Sequence, residues 1–517
     1  MFILSIIPII VLIIIKSKKS LHMLQQNSYN TSNRYLKWVF KNIDLKKVLL
    51  ESIIIIFIFL FSNNMIVYFL YYLLILYLYL KEKAEYKKPL VITNRIKRLI
   101  FTNIIFYMVL SFLVFYKYEE TLLNDYYIIL TSLSILNYFV IYIINIINYP
   151  LEKYVYFYFK FKSIKKIRSF NNLKIIGITG SYGKTSSKNI LSDILNVKYN
   201  ALPSPKSRNT PYGLMQTINE DLNKFHEVFI AEMGACEKGD IKELCDLVKP
   251  KYGVLTKIGL AHLETFKTEE TIQKTKFELI ESLPKEGIAI LNKDDDKQVN
   301  YKLKNKVKTI WIGIDNKEAD IVAKNIKMSK NGMNFEVIID KNSYDFTTKI
   351  LGIPNVYNIL AGIALSKELG LTIKEIQKGV GLIKPTEHRM QLKKFNDINI
   401  IDDAFNSNPI GSKMALDVLN LMKGKKIIVT PGMIELGEKQ YILNKEFGKQ
   451  IAEVCDLVIL VGKNQTKPIY DGLIEKKYDK DKLFVIEDFK ECFNIINKYK
   501  EKETYVLLEN DLPDIFK

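Results

Sequence analysis

Two rhythms of apolar residues divide this chain. Before residue 150 the apolar stretches are long: Phe2–Ile15, Val48–Leu80, Leu99–Tyr116 and Tyr126–Ile147. Runs of about 18 or more apolar residues predict helices that cross a bilayer. Ser62-Asn63-Asn64 interrupts the second run, which predicts a hairpin of two short spans and hence five spans in all. From about residue 171 the runs become short and β-rich and alternate with helical stretches. Leu173–Ile178, Val228–Ala231, Tyr252–Thr256, Ile288–Leu291 and Thr309–Ile312 predict buried strands. Within 320–350, Asn331-Gly332 separates two alternating runs, the pattern of a hairpin. A helix follows at Val356–Leu369. A second alternating unit starts near 385, with strands at Ile398–Ile401, Lys426–Thr430, Leu457–Val461, Leu483–Ile486 and Thr504–Leu508. Alternation of this kind favours mainly parallel sheets covered by helices.

The expected architecture is therefore multi-domain. A transmembrane helical region (1–150) leads through a basic juxtamembrane linker (151–170) to a central α/β domain (171–384) and a C-terminal Rossmann-like α/β domain (385–517).

Charge orients the first half. The net charge over 517 residues is +19. Basic residues crowd segments 16–47 and 81–98 and the stretch after the last span, including Lys160, Lys162, Lys165, Lys166 and Arg168. The 117–125 loop instead carries Glu119, Glu120 and Asp125. Positive loops stay cytoplasmic. Five spans with the N-terminus outside place every basic segment, and the α/β half, on the cytoplasmic side of the cell membrane. The basic residues are thus expected to flank a membrane, and none has the spacing of a nucleic-acid motif. Glu51 lies near the end of its span, where an acid raises a functional question. Cys236, Cys245, Cys455 and Cys492 are scattered and predict reduced thiols.

The densest chemical signal is Gly177-Ile-Thr-Gly-Ser-Tyr-Gly-Lys-Thr-Ser186. It follows an apolar run and precedes residues spaced four apart, Ile190/Ile194 and Leu191/Leu195. Strand, Gly-rich turn and helix together make an anion site from backbone N–H groups and a helix N-terminus. The chain has Ile178 where the usual GxxxxGK[ST] pattern starts with glycine, so this is a variant phosphate loop. Gly180, Ser181, Gly183, Lys184, Thr185 and Ser186 are its candidate nucleotide contacts, with Lys184 at the outer phosphates and Thr185 on magnesium.

Other candidates sit at strand ends. Glu232 ends its strand, as a magnesium ligand or a solvated loop residue. His262 lies in Gly259-Leu-Ala-His-Leu-Glu264, as a site residue or a structural histidine. Lys276 stands on a predicted helix, where taken alone it reads as a solvated charge. Asn292 opens Asn292-Lys-Asp-Asp-Asp296, a pattern that turns also favour. His388-Arg389 marks the junction of the two α/β units, and a guanidinium suits a phosphate. In Asp402-Asp403-Ala-Phe-Asn406-Ser-Asn408-Pro409, Asp403 is a candidate for ribose, and Asn406 and Asn408 for substrate. Turn and helix-cap chemistry explains the same residues.

Together these segments resemble the Mur ligases, and within them the MurF type. The resemblance spans about 171–517. It rests on Gly177–Ser186, Ala231-Glu-Met-Gly-Ala235, Ala261-His-Leu-Glu264, Lys276, Asn292-Lys-Asp-Asp295, Asn355-Val-Tyr-Asn358, His388-Arg-Met390, Asp402–Pro409 and Gly432-Met-Ile-Glu-Leu-Gly437. It implies an ATP- and magnesium-dependent amide ligase that works through an acyl phosphate. The partners implied are a UDP- or lipid-linked muramoyl peptide and an amine such as D-alanyl-D-alanine, with other envelope-synthesis enzymes as possible company. The resemblance also implies residue roles. Glu232 and Thr185 would hold one magnesium. His262 and a carbamylated Lys276 would hold a second. Arg389 would meet the γ-phosphate, Asp403 the ribose and Asn292 the base.

Two departures stand out. A membrane region takes the place of the family's soluble N-terminal domain. Leu507-Leu-Glu-Asn-Asp-Leu512 stands where MurF-type enzymes carry a Lys-Gly-Ser element. The competing readings are a ligase for another envelope polymer, such as poly-γ-glutamate, and a non-catalytic nucleotide-binding scaffold. A transporter is disfavoured by the lack of paired charges in the spans.

Overall fold

The computed structural model describes residues 2–27, 29, 34–42, 45–61, 65–81, 89–117, 123–260, 263–329, 331–395, 397–404, 408–434 and 436–511. The chain divides into two compact units, one made chiefly of Met1–Tyr158 and the other Phe159–Leu512.

The first unit is helical: α1 (Phe2–Gln26), α2 (Leu36–Asn42), α3 (Leu45–Phe61), α4 (Met65–Lys81), α5 (Asn94–Lys117), α6 (Leu123–Ile135) and α7 (Asn137–Arg168), whose last turns belong to the second unit. The apolar stretch Val48–Leu80 forms two helices, α3 and α4, as the Ser-Asn-Asn interruption predicts; residues 62–64 themselves lie outside the described residues. The stretch Tyr126–Ile147, expected as one span, is two helices bent by 84°. The bend falls at Asn137, which is buried and bonded on both sides of its amide. Its Nδ2 donates to Ser17 Oγ at 3.0 Å, and its Oδ1 accepts from Ser20 Oγ at 2.8 Å. A polar group buried at a helix end needs such partners. Among the described residues one helix, Asn94–Leu113, is long and apolar enough to cross a bilayer, and the bent pair is so only as a whole. Glu51 is buried against Lys16 Nζ at 2.9 Å, so, contrary to the expectation of no paired charges, α1 and α3 carry a buried ion pair; the two partners lie 35 residues apart, which the sequence pattern does not record.

The second unit holds two α/β domains. In the central one, β1 (Lys174–Thr179), α8 (Lys184–Leu195), β2 (Ala201–Pro203), α9 (Pro211–Gln216), β3 (Val228–Glu232), α10 (Asp240–Val248) and β4 (Tyr252–Leu255) come first. They are followed by α11 (Leu263–Phe266), α12 (Glu269–Glu281), β5 (Ile288–Asn292), α13 (Asp296–Val299), β6 (Lys308–Gly313), β7 (Ile321–Ser329), β8 (Gly332–Ile339), β9 (Asn342–Thr348), α14 (Ile353–Glu368) and α15 (Ile373–Gly381). The sheet order is β2-β3-β1-β4-β5-β6-β7-β8-β9. Strands are parallel as far as β7, and β7–β8–β9 is an antiparallel meander that turns at the expected Asn331-Gly332. The predicted strands fall inside this sheet. The short edge strand β2 was not foreseen, because three residues carry no period.

The C-terminal domain runs β10 (Gln391–Phe395), β11 (Ile398–Asp403), α16 (Pro409–Asn420), β12 (Lys425–Thr430), α17 (Gln440–Val454), β13 (Leu457–Val461), α18 (Lys463–Glu475), β14 (Leu483–Ile486), α19 (Glu491–Tyr499) and β15 (Thr504–Glu509). Its sheet order is β10-β11-β15-β12-β13-β14, parallel except for β10. Parallel strands covered on both faces read as continuous apolar runs. Leu457–Leu460 and Ile427–Val429 are accordingly buried.

The site-bearing helix α8 is held from behind. Ile190, Leu191, Ile194 and Leu195 are almost wholly buried and pack with Ile359 and Ile363 of α14. Gly362 of α14 is needed there, since a Cβ would stand 2.8 Å from Ile194 Cδ1. That packing fixes where the N-terminus of α8 points.

Candidate active site

The turn after β1 lies at the C-terminal edge of the parallel sheet, where the strand order reverses and ligands of such sheets bind. Gly180 has φ +150° and Gly183 φ +79°. A Cβ on Gly180 would run into Thr256 Oγ1, and one on Gly183 would stand 3.1 Å from Asn358 Oδ1. Both positions therefore require glycine. The turn is fastened from the next strand: Ser181 N–H donates to the Lys257 carbonyl (2.9 Å), Ser181 Oγ to that of Gly259 (2.8 Å), and Thr256 Oγ1 to that of Tyr182 (2.6 Å). No side chain caps α8, so its first N–H groups are left for something else.

Lys184 Nζ folds back onto the carbonyls of Gly180 (2.8 Å) and Ser181 (3.2 Å). Burial lowers its pKa; the Glu232 charge opposes this and the Arg389 charge adds to it. Glu232 pairs in register with Ile178, which sets its carboxylate beside the turn. Thr185 Oγ1 donates to its Oε1 at 3.1 Å, Asn209 Nδ2 to the same oxygen at 2.9 Å, and Lys188 Nζ to its Oε2 at 3.0 Å. Burial alone would raise this carboxyl. Lys188, then Lys184, then the Asn209 bond outweigh burial and hold it below the usual carboxylate range.

Lys276, on α12, is 2% exposed. Burial, helped by the Lys184 charge, pushes its pKa down to about 7. It is not the solvated helix charge that its residue type suggests. Its ammonium lies 5.8 Å from the centre of the Phe266 ring.

A cavity of about 700 Å³ joins the turn and Glu232 to the C-terminal domain; Lys276 is not among the residues that line it. Ser181, Gly183, Lys184, Thr185, Ser186 and Glu232 line it from the central domain, together with Asn292. Arg389, Asp403 and Asn408 line it from the C-terminal one. His388 and Met390 flank Arg389 in left-handed backbone, φ +57° and +51°, and Met390 N–H donates to Asp403 Oδ1 at 3.1 Å. Burial pushes the Asp403 carboxyl up to about 6, against the pull of Arg389. Asp402 is turned away, bonded to His388 Nδ1 (2.9 Å) and Lys393 Nζ (2.6 Å).

Local roles coexist with placement in the cavity. Asn292 Oδ1 accepts from Asp294 N–H, an Asx turn, and Asn408 Oδ1 caps α16 through Gly411 N–H. His262 and Asn406 lie outside the described residues. Among the described residues no three His, Cys, Asp or Glu side chains cluster as a metal site. What the site offers a hard cation is one carboxylate, Glu232, with the Thr185 hydroxyl against it, and phosphate oxygens and water normally complete such a shell. The open helix terminus, the glycine-only turn and this oxygen pair fit a magnesium nucleotide.

Two residues at Glu232 were not anticipated, Lys188 and Asn209. Lys188 stands one helical turn after Lys184, and that i,i+4 spacing was the available signal. Thr210-Pro211 announces the start of α9, but nothing in the sequence directs the preceding Asn209 toward a carboxylate. Tyr357 and Asn358 of α14 also line the cavity.

Comparison with known proteins agrees with this geometry. Residues 178–366 match the Mur ligase middle domain, and residues 388–509 match the Mur ligase glutamate ligase domain. The two matches together cover more than half of the chain, which belongs to the Mur ligase family. Its relatives narrow the type. The UDP-N-acetylmuramoyl-tripeptide–D-alanyl-D-alanine ligase of Bacillus subtilis is 29% identical over 341 residues, 65% of this chain and 72% of that protein. The Escherichia coli ligase of the same name is 29% identical over 56% of this chain and 65% of its own length. The Buchnera aphidicola (strain Bp) ligase is 30% identical over 55% and 62%. The chain thus spans less than two thirds of the latter two. The crystal structure of Thermotoga maritima MurF in complex with ADP superposes with a TM-score of 0.62 at 25% identity, covering 68% of this chain and 80% of that one.

Proposed function

We propose that the chain is an ATP-dependent amide ligase of the MurF type, which joins D-alanyl-D-alanine to the peptide carboxylate of a muramoyl precursor in peptidoglycan synthesis. The observation that carries this is one cavity lined both by the Gly180–Ser186 turn with Glu232 and by Arg389 and Asp403 of the other domain. The names of the relatives supply the substrates.

In this reading the substrate carboxylate oxygen attacks the γ-phosphorus of ATP, and ADP leaves. The amine nitrogen then attacks the acyl carbon, loses a proton, and inorganic phosphate leaves. Magnesium, when bound, neutralises charge on the phosphate oxygens. Lys184 turns from its two carbonyls to the outer phosphates, which exchanges weak acceptors for anionic ones. Arg389 brings a planar fork to the γ-phosphate from the opposite domain, so a productive site needs both domains. Asp403 accepts from the ribose hydroxyls, and Asn292 contacts the base. Thr185 and Glu232 would hold one magnesium. Lys276, buried and with its pKa lowered to about 7, is suited to react with carbon dioxide. The resulting carbamate would be an anionic oxygen ligand for a second magnesium, shared with His262. Asn408 and Asn406 face the substrate in this reading.

We further propose that the helical unit lies in the cytoplasmic membrane with the ligase domains on the cytoplasmic side. Large apolar side chains stay exposed along α3 (Ile53, Ile56, Phe57, Leu60), α4 (Ile66, Leu70, Leu74) and α5 (Phe101, Met108, Phe112). Large apolar side chains exposed in this number on three helices are suited to contact with lipid. Flotation of the chain with liposomes tests this; recovery of free chain from the dense fraction would contradict it. Substrate-dependent phosphate release tests the ligase. Release that requires ATP, magnesium, D-alanyl-D-alanine and UDP-linked muramoyl tripeptide is expected. No release with that precursor or its lipid-linked form would overturn the assignment.

A further inference from the structure

Lys188 is 1% exposed, yet it carries a charge and none of the steps above uses it. Its ammonium makes two bonds. One goes to Glu232 Oε2 at 3.0 Å. The other goes to the backbone carbonyl of Lys206 at 2.7 Å. Lys206 lies in the segment between β2 and α9, and it holds the left-handed backbone, φ +50°, without being glycine. That conformation costs energy for a residue with a Cβ and persists only where the surroundings impose it.

The segment is tied to β3 at both ends. Glu232 N–H donates to Ser204 Oγ at 3.2 Å, and Gly234 N–H donates to the Asn209 carbonyl at 2.8 Å. Asn209 also donates its amide to Glu232 Oε1. Lys188 supplies the tie in the middle. Ser207, Asn209, Thr210 and Pro211, on or just beyond this segment, line the cavity.

We propose that Lys188 is a positioning residue that fastens the Ser204–Asn209 segment onto the Glu232 carboxylate, so that one wall of the substrate cavity and the magnesium ligand are set by the same ammonium. The geometry divides the carboxylate. Lys188 holds Oε2, while Oε1 takes the Asn209 amide and the Thr185 hydroxyl, the group that would share a metal with it. Helix α8 thereby presents two lysines one turn apart with different duties, Lys184 toward phosphate and Lys188 toward the groups that frame it. This inference rests on the reading of Glu232 as a magnesium ligand for one of its two readouts only.

The test uses the full-length chain in detergent and the variant Lys188→Met. The first readout is tryptic cleavage after Lys206 and Arg208 without nucleotide or metal. It is expected to quicken several-fold in the variant, while cleavage after the exposed Lys477 keeps its rate; general destabilisation would move both. The second is the magnesium concentration at half-saturation of a fluorescent ADP analogue. It is expected to rise about tenfold, the usual effect of losing a group that orients a metal ligand. Lys188→Gln, which is polar but uncharged and one bond too short to meet both Glu232 and the Lys206 carbonyl, carries both measurements if the Met variant does not fold. A wild-type value in either readout overturns the proposal. Wild-type binding of the analogue that ignores magnesium would count instead against the metal reading of Glu232.

Discussion

The pKa of Lys276 makes the most demanding prediction. An unperturbed lysine is neutral to only about 0.03% at pH 7. With its pKa at about 7, Lys276 is about half neutral at that pH, about a tenth at pH 6 and about nine tenths at pH 8. Only the neutral amine attacks carbon dioxide, so carbamate and activity should climb together across that range. Removing bicarbonate and carbon dioxide from the assay should lower the rate and returning them should restore it. The same shift has a stability cost. Between about pH 7 and 10.5 the unfolded chain binds more protons than the folded one, so stability rises with pH in that window. For the unmodified lysine at pH 7.5 the cost is at most about 4 kcal/mol. Lys276→Met removes it, so that variant should be inactive yet melt at a higher temperature. The assay is 13C NMR of the chain equilibrated with 13C-bicarbonate, run beside a melting curve. A fully active Met variant, or no carbamate signal at pH 8, would refute the reasoning.

Three other outcomes are expected. Lys184→Ala should abolish phosphate release with an unchanged circular dichroism spectrum, because among the described residues its ammonium bonds to carbonyls of its own turn; residual substrate-dependent turnover would count against the assigned site. Glu232→Gln should destabilise the chain by about 3–5 kcal/mol, since it leaves Lys188 buried without its counter-charge, and Lys188→Met/Glu232→Gln should recover much of that loss in denaturant melts. Affinity for ADP should fall as pH drops through about 6, where Asp403 takes up a proton and ceases to be a two-sided acceptor; a pH-independent affinity that Asp403→Asn leaves unchanged would remove it from the ribose.

Much of the ligase half was legible because its parallel strands are short, apolar and separated by helices of regular period. The turn Gly177–Ser186 and the strand-end residues Glu232 and Asp403 announced themselves through position, since parallel sheets present ligands at that edge. Burial was not legible. Lys276 reads as a surface charge until α12 is packed and its side chain proves enclosed. Lys188 reads as an exposed helix residue until β3 and the Lys206 segment close over it. Both facts depend on contacts between residues far apart in sequence, which periodicity does not record. The helical unit shows the same limit. Apolar content announced the helices but not the 84° bend, which falls at Asn137, a residue bonded to Ser17 and Ser20 more than a hundred residues earlier.

The central claim is that the cavity shared by the two domains forms an amide bond at the expense of ATP. The most direct measurement is mass spectrometry of the product after incubating the solubilised chain with ATP, magnesium, UDP-linked muramoyl tripeptide and D-alanyl-D-alanine. The account predicts the muramoyl pentapeptide, one phosphate per molecule formed, and neither product with Lys184→Ala. Absence of the pentapeptide from the wild-type reaction, with the lipid-linked precursor as well as the soluble one, would contradict it.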